Sequence, residues 1–449
     1  MPDYFTEAEA RDLCDQILAR STVDAAAVTV SSGSDGFTRF ARSEIATSGE
    51  VLRAEARVTS RIGDRSASVR WNDLGSAAIQ QTVSHSEELA RIAPEDPQSL
   101  PLLGPQEYVQ NEAFFAATEE LDAERRADVI LAVIEPAAAA DLVAAGFLER
   151  TVGSRAVANT NGLFAYHNST AASYTTTIRT PDGTGSGWAG TTHSDWMSMV
   201  SPADLAAQAI DKARASQDAE EIVPGPFTVV LEPTAVGNLI SLMRTAFDAR
   251  VADEGRSFFS QPGGGNKAGE VVMDERLTLL SDPVDPDLLT CPFASDGWPL
   301  SRTVWIEDGV LTNLAYSRYW AQQQSRDPVA VGGGMKLTGG DGTTADLIGT
   351  VERGILVTRF WYIRPVDQRR LLYTGITRDG TFLIESGQVT RPVKNLRFNE
   401  SLMSMLNKVE AIGSAVRIVA SEAGGIGEPV VVPPLVVQDF HFTSVSDAV

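Results

Sequence analysis

Zinc and nucleophile chemistry in proteins draws mainly on histidine and cysteine, and this chain holds few of either: His85, His167, His193 and His441, with Cys14 and Cys291. A catalytic zinc needs about three protein ligands converging on one point and a carboxylate base beside them. No two of these histidines are spaced as on one helical turn, and none belongs to His-Glu-x-x-His or a one-residue-longer relative. The two cysteines are too far apart for a zinc knuckle. An ordinary histidine-based zinc hydrolase site is therefore not expected from this chain by itself. Serine chemistry is no better supported, because Gly185-Ser186-Gly187 lacks the outer spacing of a Gly-x-Ser-x-Gly elbow. Cys291 has no histidine near it in sequence, and Cys14 lies beside an apolar helix stripe and reads as a small core residue. The runs Gly263-Gly264-Gly265-Asn266-Lys267 and Gly332-Gly333-Gly334-Met335-Lys336 match neither a P-loop nor a dinucleotide fingerprint, and read as loops. Asp285, Asp287, Asp296 and Glu307 are too loosely spaced for a calcium loop and read as turn residues. No catalytic, cofactor-binding or metal-ligating residue is assigned, and no cofactor is expected.

The elements that would carry any site come next. A chain of 449 residues exceeds one ordinary core, and its 43% hydrophobic and 21% charged content is that of a globular protein. A net charge of -22 repels phosphate backbones and argues against nucleic-acid binding. The acidic start Met1-Pro2-Asp3-Tyr4-Phe5-Thr6-Glu7 has no apolar core of a signal peptide, and no run of about 18 apolar residues predicts a membrane span. With only two cysteines, a cytoplasmic location is expected.

Thr6 and Glu9 form a capping-box signature for a first helix. Strands are expected at 26–31, 37–47, 51–61 and 67–71, with Gly33-Ser34-Asp35-Gly36 as a turn between the first two. Helices are expected at 74–92, 123–135 and 201–215, the last with Pro202 at its first position. The proline-rich stretch 94–105 reads as a loop, and extended segments fill 155–180. The proline-flanked stretch 217–226 is the best boundary between two domains, 1–220 and 221–449. Beyond it, 227–231 reads as a strand, 234–252 as helix and 258–269 as a glycine-rich loop. Strands are expected at 303–306, 354–363, 371–374, 381–384, 415–420 and 429–437. The fold class is α+β: an N-terminal mixed α/β domain followed by a strand-rich C-terminal one.

Several segments in fixed order resemble the TldD/PmbA metallopeptidase family, on its PmbA or TldE side. They include 39–45, Ala158-Asn159-Thr160-Asn161-Gly162-Leu163, Phe164-Ala165-Tyr166, Gly185-Ser186-Gly187-Trp188-Ala189, and Leu231-Glu232-Pro233-Thr234-Ala235-Val236-Gly237. A turn at Asp379-Gly380 and the run 392–401 complete the set, so the similarity covers nearly the whole chain. The resemblance implies a zinc-bearing TldD-type partner with His-Glu-x-x-x-His opening a helix of the second domain and a cysteine ligand near the C-terminus. Here Pro233 and Asn238 stand at the two histidine positions, Thr234 at the glutamate, and 421–427 holds no cysteine. The resemblance thus implies a motif-less subunit that pairs in a heterodimer, or forms a homodimer, around an extended peptide substrate. Two alternatives stay open: a stand-alone hydrolase using Cys291 or carboxylates around Asp379 and Glu385, and a binding or regulatory protein, in line with the family's description as a modulator of DNA gyrase.

Overall fold

The structure, a computed structural model, describes residues 4–422 and 424–446. The first three residues of the acidic start, Ala423 of the 421–427 segment and the last three residues lie outside the described residues. The mixed α and β content agrees with the α+β expectation. Among the described residues no helix is long and apolar enough to cross a membrane.

The first half is built on one antiparallel sheet with helices on a single face. Its strands are β1 (Ala25–Ala41), β2 (Glu44–Ile62), β3 (Arg65–Trp71), β4 (Val143–Asn159), β5 (Phe164–Arg179) and β6 (Ser186–His193), in the order β3-β2-β1-β4-β5-β6. Helices α1 (Glu7–Leu18), α2 (Ser76–Ile92), α4 (Ala123–Ala139) and α5 (Pro202–Ala215) cover one face, with the short α3 (Ala116–Glu119) beside them. Alternation along the strands sends Val28, Val30, Ala56 and Val58 under α1 and α2, where Cys14 and Ile17 meet them. Phe40, Leu148 and Tyr174 go under α4 and α5. The Thr6/Glu9 capping box forms as expected, the Thr6 hydroxyl accepting from Glu9 N–H and the Glu9 carboxylate from Thr6 N–H.

Two strand expectations fail for local reasons. Gly33-Ser34-Asp35-Gly36 is not a turn: β1 runs straight through it, because Gly33 pairs with Gly153 of β4 and a side chain at Gly33 would strike the Val152 carbonyl. The reversal comes instead at Arg42 and Ser43, inside the expected strand 37–47, where both residues take positive φ (55° and 58°) in a two-residue hairpin. Helix α4 also continues past Glu135, carrying Pro136 within it.

The second half holds two sheets. In one, β8 (Leu279–Ser281), β9 (Thr303–Glu307), β10 (Val310–Leu311), β11 (Met335–Leu337), β17 (Val416–Ile418) and β18 (Val430–Val432) run in the order β10-β9-β8-β11-β18-β17. In the other, β7 (Pro226–Leu231), β12 (Arg353–Asp367), β13 (Leu372–Glu385), β14 (Gln388–Pro392), β15 (Leu396–Ser401) and β19 (Leu435–Val445) run β12-β7-β19-β15-β13-β14, with β16 (Val409–Ile412) against β19. Pairing of β12 with β13 closes five of these strands into a ring. Phe360, Phe398, Phe440 and Phe442 pack together in the core, with ring centroids 4.6 to 5.6 Å apart. Asp379-Gly380, expected as a turn, is a bulge inside the continuous β13, where Asp379 takes φ 55° and Gly380 φ 122°. The expected helix 234–252 divides into α6 (Pro233–Ile240), a 3-10 segment Ser241–Phe247 and a short helix Ala249–Asp253.

Candidate functional site

The four histidines stay apart. His85 is exposed on α2, His167 lies on β5, His193 on β6 and His441 on β19. Burial holds His167 down at about 4, and its Nε2 has no partner among the described residues. Burial, then Arg417, also lowers His193, whose Nδ1 accepts from Asp195 N–H at 2.9 Å. Among the described residues no three His, Cys, Asp or Glu side chains gather closely enough to hold an ion. Cys291 sits among Leu103, Val157, Leu163, Ala165 and Phe293, and burial pushes its thiol up, away from a nucleophilic thiolate. Asp379 and Glu385 do not converge: they lie six residues apart along β13, with at most about 20 Å between their backbones. Asp285 and Asp287 are both held by Lys336, at 2.8 and 3.2 Å. That lysine belongs to β11, so the Gly332–Gly334 run leads directly into a strand.

The stretch matched to the zinc motif forms the first turn and middle of α6. Pro233 opens the helix at the position where a missing N–H costs nothing, after Glu232 N–H donates to the Val357 carbonyl of β12. Lys212 of α5 holds the Glu232 carboxylate at 2.6 Å. One turn on, Asn238 is 2% exposed, and its amide is used at both ends. Nδ2 donates to the Ala420 carbonyl at 2.8 Å, and Oδ1 accepts from Phe360 N–H at 3.1 Å. Gly237 faces Ile418 and Val432 with no room for a side chain. The fold therefore brings the motif stretch and the segment near 421–427 together. The residues offered there do not fit zinc: proline has no donor, threonine is no base near neutral pH, and both ends of the Asn238 amide are committed.

The segment around Ala420 is pinned by protein groups. Arg359 Nη2 donates to the Glu422 carbonyl at 2.6 Å, the Glu422 carboxylate accepts from Ile363 N–H at 2.5 Å, and Ile426 N–H donates to the Glu149 carboxylate of β4. Arg359 is 3% exposed; burial lowers its guanidinium from the ordinary value, and Asp379 pulls it back. The Asp379 carboxylate lies 3.8 Å from both Arg359 and Arg378 and accepts from the Ser186 hydroxyl of β6 at 2.6 Å, linking the two halves of the chain. Arg359 also lies over Trp188 and Trp361, at 4.6 and 5.2 Å from their ring centres. Sequence reasoning missed this cluster, whose members come from β6, β12, β13 and the 420s segment. The local signals were Asp379-Gly380, read as a turn, Asp379 as a candidate carboxylate, and Gly185-Ser186-Gly187-Trp188, read only as a family segment.

Comparisons with known proteins bear on the family and the fold. Residues 115–217 match the model of the PmbA/TldA metallopeptidase central domain and 224–444 that of the PmbA/TldA metallopeptidase C-terminal domain. A metalloprotease of Methanothermobacter thermautotrophicus is 25% identical over 224 residues, 46% of this chain and 47% of that protein. One from Methanocaldococcus jannaschii is 23% identical over 241 residues, 51% and 52% of the two. The chain thus spans about half the length of the curated relatives it matches. Among solved structures, TldE of Thermococcus kodakarensis superposes with a TM-score of 0.85 over 97% of this chain and 99% of that one, at 16% identity. A candidate DNA gyrase modulator from Thermotoga maritima gives 0.83, over 96% and 100%, also at 16%. One from Bacteroides thetaiotaomicron gives 0.82 at 20%, over 97% and 98%.

Proposed function

The chain belongs to the PmbA/TldD metallopeptidase family, and from that premise we propose that it is the non-catalytic, PmbA/TldE-type subunit. It pairs with a zinc-bearing TldD-type subunit in the proteolysis or trimming of unfolded peptides. The observation that carries this reading is Asn238. At a position where the resemblance calls for a ligand imidazole, a buried amide bridges Ala420 and Phe360, using both its nitrogen and its oxygen to hold protein groups. Pro233 and Thr234 complete the replacement. In this role the chain supplies part of the peptide chamber and steadies its partner, and an extended substrate adds to a sheet edge through main-chain hydrogen bonds.

The test uses the full chain alone, then with a family member bearing His-Glu-x-x-x-His. Alone with added zinc, the chain binds no stoichiometric metal by elemental analysis and leaves unfolded casein intact. Mixed with the motif-bearing subunit, it forms a hetero-oligomer on a sizing column with light scattering, and casein is cut. Cleavage by the chain alone, after every co-purifying protein has been removed, would overturn the reading.

A further inference from the structure

A cleft of about 850 Å³ opens between the helix-free face of the first sheet and three segments opposite it: the loops near 96–103 and 295–298, and the stretch 316–330, which carries a short helix at Arg318–Gln324. Its volume lies in the upper part of the range for ligand sites. In a chain of net charge -22, four arginines line it, against three carboxylates. Two of the arginines build the wall. Arg61 donates to the Leu100 carbonyl, and Arg318 to the Pro101 carbonyl at 2.8 Å, so that together they hold the proline-rich segment in place. The other two, Arg57 of β2 and Arg155 of β4, have no carboxylate paired to them among the described residues. Arg57 is exposed, and Arg155 has only the Phe293 ring, 6.0 Å away. Of the three acids, Glu55 is taken by Arg70 and Asp296 by Arg318 at 3.9 Å, while Asp96 accepts from Gln98 N–H at 2.9 Å and is in no ion pair among the described residues.

Register fixes the spacing of the free pair. Arg57 lies opposite Thr29 of β1, and Arg155 opposite Ser31, so they flank β1 two residues out of step. Two strand separations and one two-residue step put their backbones about 12 Å apart, with Thr29 between. Along an extended peptide, side chains four residues apart point the same way and lie about 13 Å from each other. We infer that this cleft binds an extended acidic peptide, Arg57 and Arg155 each gripping one of two carboxylates about four residues apart. Guanidinium groups suit this task because their planar donors meet a carboxylate in parallel pairs. The inference goes beyond the subunit reading and stands without it, since the cleft is complete in the single chain.

The test is fluorescence polarisation with the full chain and labelled octapeptides carrying two glutamates four residues apart, or two glutamines or two lysines in their place. The glutamate peptide binds at least about tenfold more tightly than either control at low salt, and added salt weakens it. Arg57→Gln and Arg155→Gln each weaken it by about tenfold, while Arg57→Lys keeps part of the affinity. Arg57 is exposed, so Arg57→Gln with an unchanged melting temperature keeps the test independent of folding. Equal binding of the glutamate and glutamine peptides, or unchanged affinity in Arg57→Gln, would overturn the proposal. So would displacement by free glutarate at the peptide's own concentration, which would assign the site to small dicarboxylates.

Discussion

Asn238→Ala removes both ends of the amide bridge at once. The Ala420 carbonyl and the Phe360 N–H, now held at 2.8 and 3.1 Å, lose their partner inside a site where Asn238 is 2% exposed. Each buried polar group left without a partner costs about 1–3 kcal/mol. The space vacated by the amide adds about 1 kcal/mol, so the sum is about 3–7 kcal/mol. In a unit of roughly 200 residues that lowers the melting temperature by at least about 6 °C. The loss should begin locally: in hydrogen exchange, the segment from Ala420 to Ile426 opens first, ahead of the phenylalanine core. Asn238→Asp keeps the acceptor for Phe360 but sets a carboxylate against the Ala420 carbonyl, so it loosens the same segment. Thermal unfolding followed by near-UV dichroism, with exchange read by mass spectrometry, measures both effects. A melting temperature within about 2 °C of the parent, with unchanged exchange at 420–426, would refute the account of Asn238 as a structural tie.

Asp379→Ala strands Arg359, which is 3% exposed, and costs about 3–5 kcal/mol; adding Arg359→Met should cost less than the two single losses summed, as a double-mutant cycle in urea would measure. His167, held at about 4, stays neutral in the folded chain while the unfolded chain takes up a proton near 6.5. Its stabilising contribution is therefore full above pH 6.5 and is lost as pH falls toward 4, by up to about 3 kcal/mol, and His167→Gln should flatten the urea midpoint over that window relative to the parent. Gly237→Ala drives a methyl group into Ile418 and prises α6 from β17, a loss of about 1–3 kcal/mol by thermal melt.

What the sequence revealed was what local chemistry decides. Thr6 with Glu9 and Ser201 with Pro202 mark helix starts because caps act within one turn, and both are where they were expected. Gly33-Ser34-Asp35-Gly36 misled because its turn chemistry is overridden by pairing on both sides, β2 at one edge and β4 at the other. The true reversal at Arg42 and Ser43 carries no glycine or asparagine to announce it. Family resemblance located α6 and the 420s segment, but composition had no way to place them side by side. Arg359 with Asp379, and Arg57 with Arg155, are pairs made by sheet register between separate strands, and register is invisible until the strands are ordered.

Under the proposed reading, asparagine at 238 has a physical logic that a bare loss of ligands would lack. A metal at the start of α6 would hold the 420s segment by direct bonds; without one, that segment must be held by protein groups or open to water. Asparagine carries a donor and an acceptor on one short side chain, so from a single helical position it satisfies a carbonyl of one segment and an N–H of another. Arg359, the Glu422 carboxylate and Glu149 then fix the segment at three further points. These ties fall just before and within the segment where the resemblance looks for a cysteine ligand. Arg359 needs Asp379 to be tolerated in the interior, and Asp379 reaches Ser186 across to the first sheet only because the β13 bulge turns it there. The geometry of α6 and the docking of the two halves of the chain are thus joined by one connected set of contacts, from Asn238 through the 420s segment and Arg359 to Asp379 and Ser186.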